Sequence, residues 1–150
     1  MADSLDMHDM TAMKALVARA FEAACAAGHP ARVSAEAMTR LAVPPTSVIA
    51  VGKAAGAMAA AVRNAGCDAP GIIVTTDESL ADDSLVLPSG MTVCPRAHPV
   101  PDARGIAAGK AVMAHVDSLA ADDHLLLLIS GGGSALLPAP AEGMSLADKQ

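Results

Sequence analysis

Three short segments of this chain combine residue types suited to binding and handling a small anion. Ser130-Gly131-Gly132-Gly133-Ser134 follows a run of five apolar residues, Leu125 to Ile129. Three glycines let a backbone approach a phosphate closely and turn successive N–H groups inward, and the flanking serines add hydroxyl donors. Gly52-Lys53-Ala54-Ala55-Gly56 follows Ser47-Val-Ile-Ala-Val51. A strand turning into a helix there would present free N–H groups, a positive dipole end and the point charge of Lys53 to an anion. His98-Pro99-Val100-Pro101-Asp102 holds an imidazole and a carboxylate between two prolines that restrict the backbone.

Each segment also has a plain structural reading. The first glycine run could be a turn at the end of a strand. As a nucleophile elbow, G-x-S-x-G, it fails at Leu136, where a glycine is required. The Lys53 turn is no Walker A loop, because Ser47 and Ala54 stand at positions needing Gly and Ser/Thr. It is no G-x-G-x-x-G either, because Ala54 replaces the second glycine. Its lysine could simply face solvent. His98 reads as a general base, as a donor to a carboxylate or phosphate, or as a loop brace. Asp102 reads first as a helix cap.

Such groups need a scaffold, and hydrophobic periodicity outlines one. Thr11 to Ala27 predicts a helix with apolar residues at three- and four-residue steps, stopped by Gly28-His29-Pro30. A second helix is expected over Ser34 to Leu41, with Ser34 as N-cap, ahead of Pro44-Pro45. Strands are predicted at Ser47–Val51, Gly71–Thr76, Met91–Cys94 and His124–Ile129, with helices over Ala54 to Asn64 and from Pro101-Asp102 onward. The last helix is expected to bury Ile106, Val112, Met113, Val116 and Leu119. Because the last strand is apolar on both faces, the middle of a parallel sheet is its expected place. Strands alternating with helices predict right-handed βαβ units: an α/β, Rossmann-like doubly wound sheet, mainly parallel. Ser145-Leu-Ala-Asp148 carries a variant capping box, so a helix is expected to open there.

Composition narrows the function classes. At 150 residues the chain is one domain long, and 53% hydrophobic residues suffice for a core. Ten Lys+Arg against 16 Asp+Glu leave a net charge of −6, and a single Phe is the whole aromatic content. Neither a basic phosphate-facing surface nor a base-stacking platform is expected, so nucleic acid is excluded as a partner. The acidic start, Met1 to Asp6, lacks the pattern of a signal peptide. No apolar run approaches the roughly 20 residues of a membrane span. Cys25, Cys67 and Cys94 lack C-x-x-C spacing and read as reduced thiols in the cytoplasm.

The remaining polar residues read plainly. His8, His29, His115 and His124 have no metal-ligand spacing. Asp77-Glu78 follows a strand end, where an acid can hold Mg²⁺ or a ribose or stand in a solvated loop. Asp82-Asp83 and Asp122-Asp123 read as solvated turns. The methionines (Met7, Met10, Met13, Met38, Met58 and Met113) read as core filling or exposed tail.

Taken together, Val51 to Met58, His98 to Asp102 and Leu128 to Leu137 resemble the type II glycerate 2-kinase family, in that family's order and strand-helix context. The resemblance runs over most of Thr11 to Gln150. It implies a Rossmann-like N-terminal domain, followed in the family by a smaller domain called MOFRL, with the active site in the cleft between them. It also implies ATP-dependent phosphorylation of D-glycerate at the 2-position, with Mg²⁺. By position, Lys53 matches the family's active-site lysine, which would bind the substrate carboxylate or stabilise the transferred phosphoryl group. Gly131, Gly132, Gly133 and Ser134 match its glycine loop, and His98 and Asp102 its H-P-V-P-D segment. Two departures stand out. Asp77-Glu78-Ser79-Leu80 replaces an expected Gly/His-containing stretch, and the MOFRL domain, with the arginine it would supply, is absent. These 150 residues are therefore expected to be an N-terminal portion with little kinase activity alone. The family leaves room for a homo-oligomer. Some members carry a hydroxypyruvate reductase label, which would need NAD(P) and a dinucleotide fingerprint not found here. A non-catalytic α/β ligand-binding module is the third reading.

Overall fold

A computed structural model of the chain describes residues 7–149. The acidic Met1–Asp6 start and Gln150 lie outside them, as do the side chains of Met7, His8, Asp9 and Lys149. Helices α1 (Met7–Ala27) and α2 (Pro30–Met38) come first. Strand β1 (Ser47–Val51) then leads into α3 (Ala55–Asn64), and β2 (Gly71–Thr76) into the four-residue α4 (Asp77–Leu80). Next come β3 (Met91–Arg96), α5 (Ala103–Asp117), β4 (Leu125–Ile129) and the short α6 (Gly133–Leu136). A 3₁₀ turn at Ala147–Lys149 ends the described chain.

The four strands form one parallel sheet in the order β3-β2-β1-β4. Each strand is followed by a helix, so the sheet is the α/β, doubly wound type that the alternation predicts. Alternate residues of each strand feed two cores. Val48, Ala50, Ile73 and Leu128 pack under Ala55, Met58, Ala59 and Val62 of α3. Ile49, Val51, Ile72 and Val74 pack with Ala108 of α5 and Leu136 of α6.

Several expectations are corrected. The second helix begins at Pro30, not Ser34. Proline suits a first helical turn, where its missing N–H costs nothing, and Ser34 is buried mid-helix. β4 is an edge strand among the described residues, not a central one. Among the described residues no helix roofs Leu127 and Ile129, which are 55% and 72% exposed. The buried face of α5 is Gly105, Ala108 and Gly109, with Val112 partly buried, whereas Met113 and Val116 are exposed. Small residues won that face because the chain runs against it: a methyl at Gly105 would lie 2.7 Å from Pro138 Cδ. α1 forms, but Met10 to Gly28 are all exposed.

Local polar contacts hold the frame. Ser47 Oγ and His115 Nε2, 2.6 Å apart, tie the start of β1 to the last turn of α5. Asp123 accepts from Thr46 Oγ1 and from the Ala120 amide, and Asp82 accepts from Ser84, so both acidic turns are hydrogen-bonded as well as solvated. The Ser145–Asp148 capping box is present in both directions, opening a 3₁₀ turn. Cys25, Cys67 and Cys94 are free thiols. No helix among the described residues is long and apolar enough to cross a membrane.

Candidate active site

The carboxyl ends of β1 and β4 are neighbours in the sheet, so the Lys53 turn and the glycine loop emerge side by side. Backbone bonds join them. Ser130 N donates to Val51 O at 2.9 Å, and Lys53 N donates to Gly131 O at 2.9 Å. The Ser130 hydroxyl accepts from Ala54 N at 3.0 Å, pairing the amide of the N-cap residue of α3, which has no side-chain cap of its own. Thr75 Oγ1, at the end of β2, donates to Lys53 O at 3.5 Å. The turn is thereby anchored on both sides while the Lys53 side chain remains exposed.

Two glycines are required here. Gly52 has φ 120°, and a methyl on it would lie 2.2 Å from Ser130 Oγ and 2.6 Å from Ser130 O. Only a residue without Cβ lets the two loops approach so closely. Gly132 has φ 92° at the N-cap of α6. A methyl there would lie 3.4 Å from both Lys53 Cγ and His98 Cδ2, and 3.5 Å from His98 Nε2. Lys53, Gly132 and His98, far apart in sequence, therefore meet at one end of the sheet. That is the end where open α/β sheets bind ligands.

Asp102 faces elsewhere. Its Oδ1 accepts from Gly105 N at 3.1 Å, capping α5, and its Oδ2 accepts from Arg104 Nε at 2.7 Å. The bond from Arg104, ahead of the other influences, holds the Asp102 carboxyl below its ordinary value. Arg104 also reaches Asp77 Oδ2 at 3.2 Å, linking α5 to α4. Asp77, at the start of α4 rather than in a loop, is thus occupied by an ion pair. Thr76 caps that short helix by accepting from Ser79 N. Among the described residues, no three His, Cys, Asp or Glu side chains are grouped to hold a metal ion.

One charged residue at this end escaped the sequence reading. Arg96, the last residue of β3, is buried to 8% exposure. Its signal was an arginine two residues before His98, just beyond the run Met91–Cys94 read as a strand, which the structure extends to Arg96.

Comparison with known proteins decides the family. A model described as a domain of unknown function, DUF4147, matches residues 14–150. The chain belongs to that family. Among its relatives, a D-glycerate 2-kinase of Thermotoga maritima is 35% identical over 149 residues, which cover 96% of this chain and 34% of that protein. A solved glycerate kinase from the same organism superposes with a TM-score of 0.77 at 32% identity, covering 92% of this chain and 33% of the other. A protein of Agrobacterium vitis with a provisional hydroxypyruvate reductase name is 36% identical over 146 residues, 95% of this chain and 32% of that one. The resemblance read from the three motifs, to the N-terminal part of the glycerate 2-kinases, thus holds, and so does the fold. The DUF4147 chain spans 32–34% of the length of these curated relatives.

Proposed function

We propose that this DUF4147 domain supplies the lysine and glycine-loop portion of the active site of an ATP-dependent D-glycerate 2-kinase. The observation that carries the reading is the convergence of Lys53 and His98 over Gly132 at the carboxyl end of the sheet. Relatives and a structural neighbour named as glycerate kinases support it. Lys53 would draw the transferring phosphoryl group, and the backbone amides beside Gly132 and Gly133 would face its oxygens. Fixed positive charge and N–H dipoles act on charge as it develops, which is the main help phosphoryl transfer needs. The 2-hydroxyl oxygen of D-glycerate attacks the γ-phosphorus, the bond to the β-phosphate oxygen breaks, and ADP leaves. The hydroxyl proton passes to the His98 imidazole. Ser130 holds the Lys53 turn in place, Gly131 anchors it through its carbonyl, and Ser134 stands exposed on the first turn of α6. Asp102 is proposed to act through the helix it caps.

Mg²⁺, where used, would shield the nucleotide phosphates. The described residues do not fit a protein-held ion, since Asp77 and Asp102 share Arg104 and no cluster of ligands is formed. The longer relatives support the reading that a second domain completes the cleft, and the free thiols support the cytoplasm as its compartment. The dinucleotide alternative is disfavoured by the Lys53 turn, whose Ala54 amide is taken by Ser130 instead of facing a pyrophosphate.

Calorimetric titration of the chain with ATP-Mg and with NADH tests the reading, beside coupled assays offering D-glycerate with ATP or hydroxypyruvate with NADH. ATP is expected to bind, and Lys53→Met to weaken it at least tenfold, a loss of about 1.4 kcal/mol. Turnover by the 150 residues alone is expected to be negligible. NADH binding without ATP binding would overturn the kinase reading.

A further inference from the structure

Arg96 is a cation in an unusual state. Its side chain is more than nine-tenths buried, and its Nε–H is enclosed with no hydrogen-bond partner. Its Nη1 donates to the carbonyl of Pro95, the residue beside it. No carboxylate among the described residues lies within ion-pair distance. A guanidinium stays charged at any relevant pH, so neutralisation cannot relieve the cost of burying it. Buried charges are ordinarily paired, and an orphaned buried donor calls for a specific explanation.

Its position supplies one. Arg96 closes β3 in register with Thr76, which closes β2, so it stands at the same sheet end as Lys53 and His98. It is two residues before His98, whose ring borders Gly132. From β1 to β3 is two strand spacings, roughly 10 Å. Two long side chains, Lys53 from the end of β1 and Arg96 from the end of β3, would bridge that span to meet a small 2-hydroxy acid, whose carboxylate is bonded to the carbon bearing the reacting hydroxyl.

We propose that Arg96 binds the carboxylate of the hydroxy-acid substrate, leaving Lys53 to the phosphoryl group. The planar fork of a guanidinium matches the two coplanar oxygens of a carboxylate, whereas the glycine loop and the Lys53 point charge suit a tetrahedral phosphate. The identity of the acid rests on the kinase reading above; the presence of an oxyanion site at Arg96 does not.

The test needs no turnover. The ¹⁵Nε–¹Hε resonance of Arg96 in the wild-type chain, assigned by its loss in Arg96→Lys, is followed during separate titrations with D-glycerate, inorganic phosphate and neutral glycerol. Saturable movement with D-glycerate and none with glycerol is expected, persisting in Lys53→Met and at least tenfold weaker, by calorimetry, in Arg96→Lys. Movement with phosphate but not with D-glycerate would overturn the carboxylate assignment, and no movement with either anion would overturn the site. Were ATP binding absent while D-glycerate still moved the resonance, the kinase reading would fall and the Arg96 site would stand. Should Arg96→Lys not fold, selective ¹⁵N-arginine labelling with Arg19→Gln, Arg32→Gln, Arg40→Gln, Arg63→Gln and Arg104→Gln controls assigns the resonance by elimination.

Discussion

On one face of the sheet, Val48, Ala50 and Ile73 lie under α3 at 0–2% exposure; on the other, Leu127 and Ile129 of β4 stand 55% and 72% exposed. Both faces are built from the same aliphatic residue types on the same parallel frame. What differs is the roof. α3 crosses β1, β2 and β4, and α2 packs on α3. α5 and α6 sit toward β2 and β3, so among the described residues the outer part of the second face has no helix above it. Hydrophobicity makes a residue fit for burial, but a neighbouring layer must be present for burial to occur. The candidate site straddles the boundary: the Lys53 turn leads from β1 into α3, and the glycine loop grows from β4.

The contrast can be broken by mutation. The largest effect is expected from Ile73→Ala, which empties a site with 0% exposure and should cost about 2–5 kcal/mol by urea denaturation. Ile129→Ala, the same deletion on the open face, should change stability by no more than about 0.5 kcal/mol. Equal losses would mean that β4 is covered in solution.

Next in size is Gly52→Ala at the boundary itself. Left-handed backbone strain of roughly 1–2 kcal/mol adds to the collision with Ser130, so about 2 kcal/mol or more should be lost. The Lys53 turn should shift with it, visible as amide exchange at Lys53 and Ala54. An unperturbed turn would show that the Gly52–Ser130 approach does not hold the loops together.

A smaller loss than at Gly52 is expected at Asp102. Asp102→Ala removes the cap of α5 and should cost about 1 kcal/mol. Because Arg104 holds the folded carboxyl below its ordinary 3.8, protons bind more readily to the unfolded chain. The contribution of Asp102 is therefore complete above that value and fades as pH falls through the folded one. The wild type should lose stability below about pH 4 more steeply than Asp102→Asn; parallel acid profiles would remove the Arg104 bond from the account.

Much of this was legible in order and type. Ser47–Val51 and Gly71–Thr76 were readable to the residue, because β-branched runs bounded by proline and glycine admit few alternatives. Asp102 was readable as a cap because its side chain bonds only three residues away. The buried face of α5 was not, since Gly105 and Gly109 carry no hydrophobic signal and matter only through Pro138. Arg96 escaped for a related reason: a charge is expected outside until the fold encloses it.

Local residue patterns were thus enough for the alternation of strands and helices, the α/β class and the three segments that could meet an anion, because period and turn chemistry act over a few neighbours. The strand order β3-β2-β1-β4 lay beyond them, as did the edge position of β4, the approach of Gly132 to Lys53 and His98, and the burial of Arg96. Each depends on contacts between residues tens of positions apart, and such contacts exist only once the sheet has brought its strand ends together.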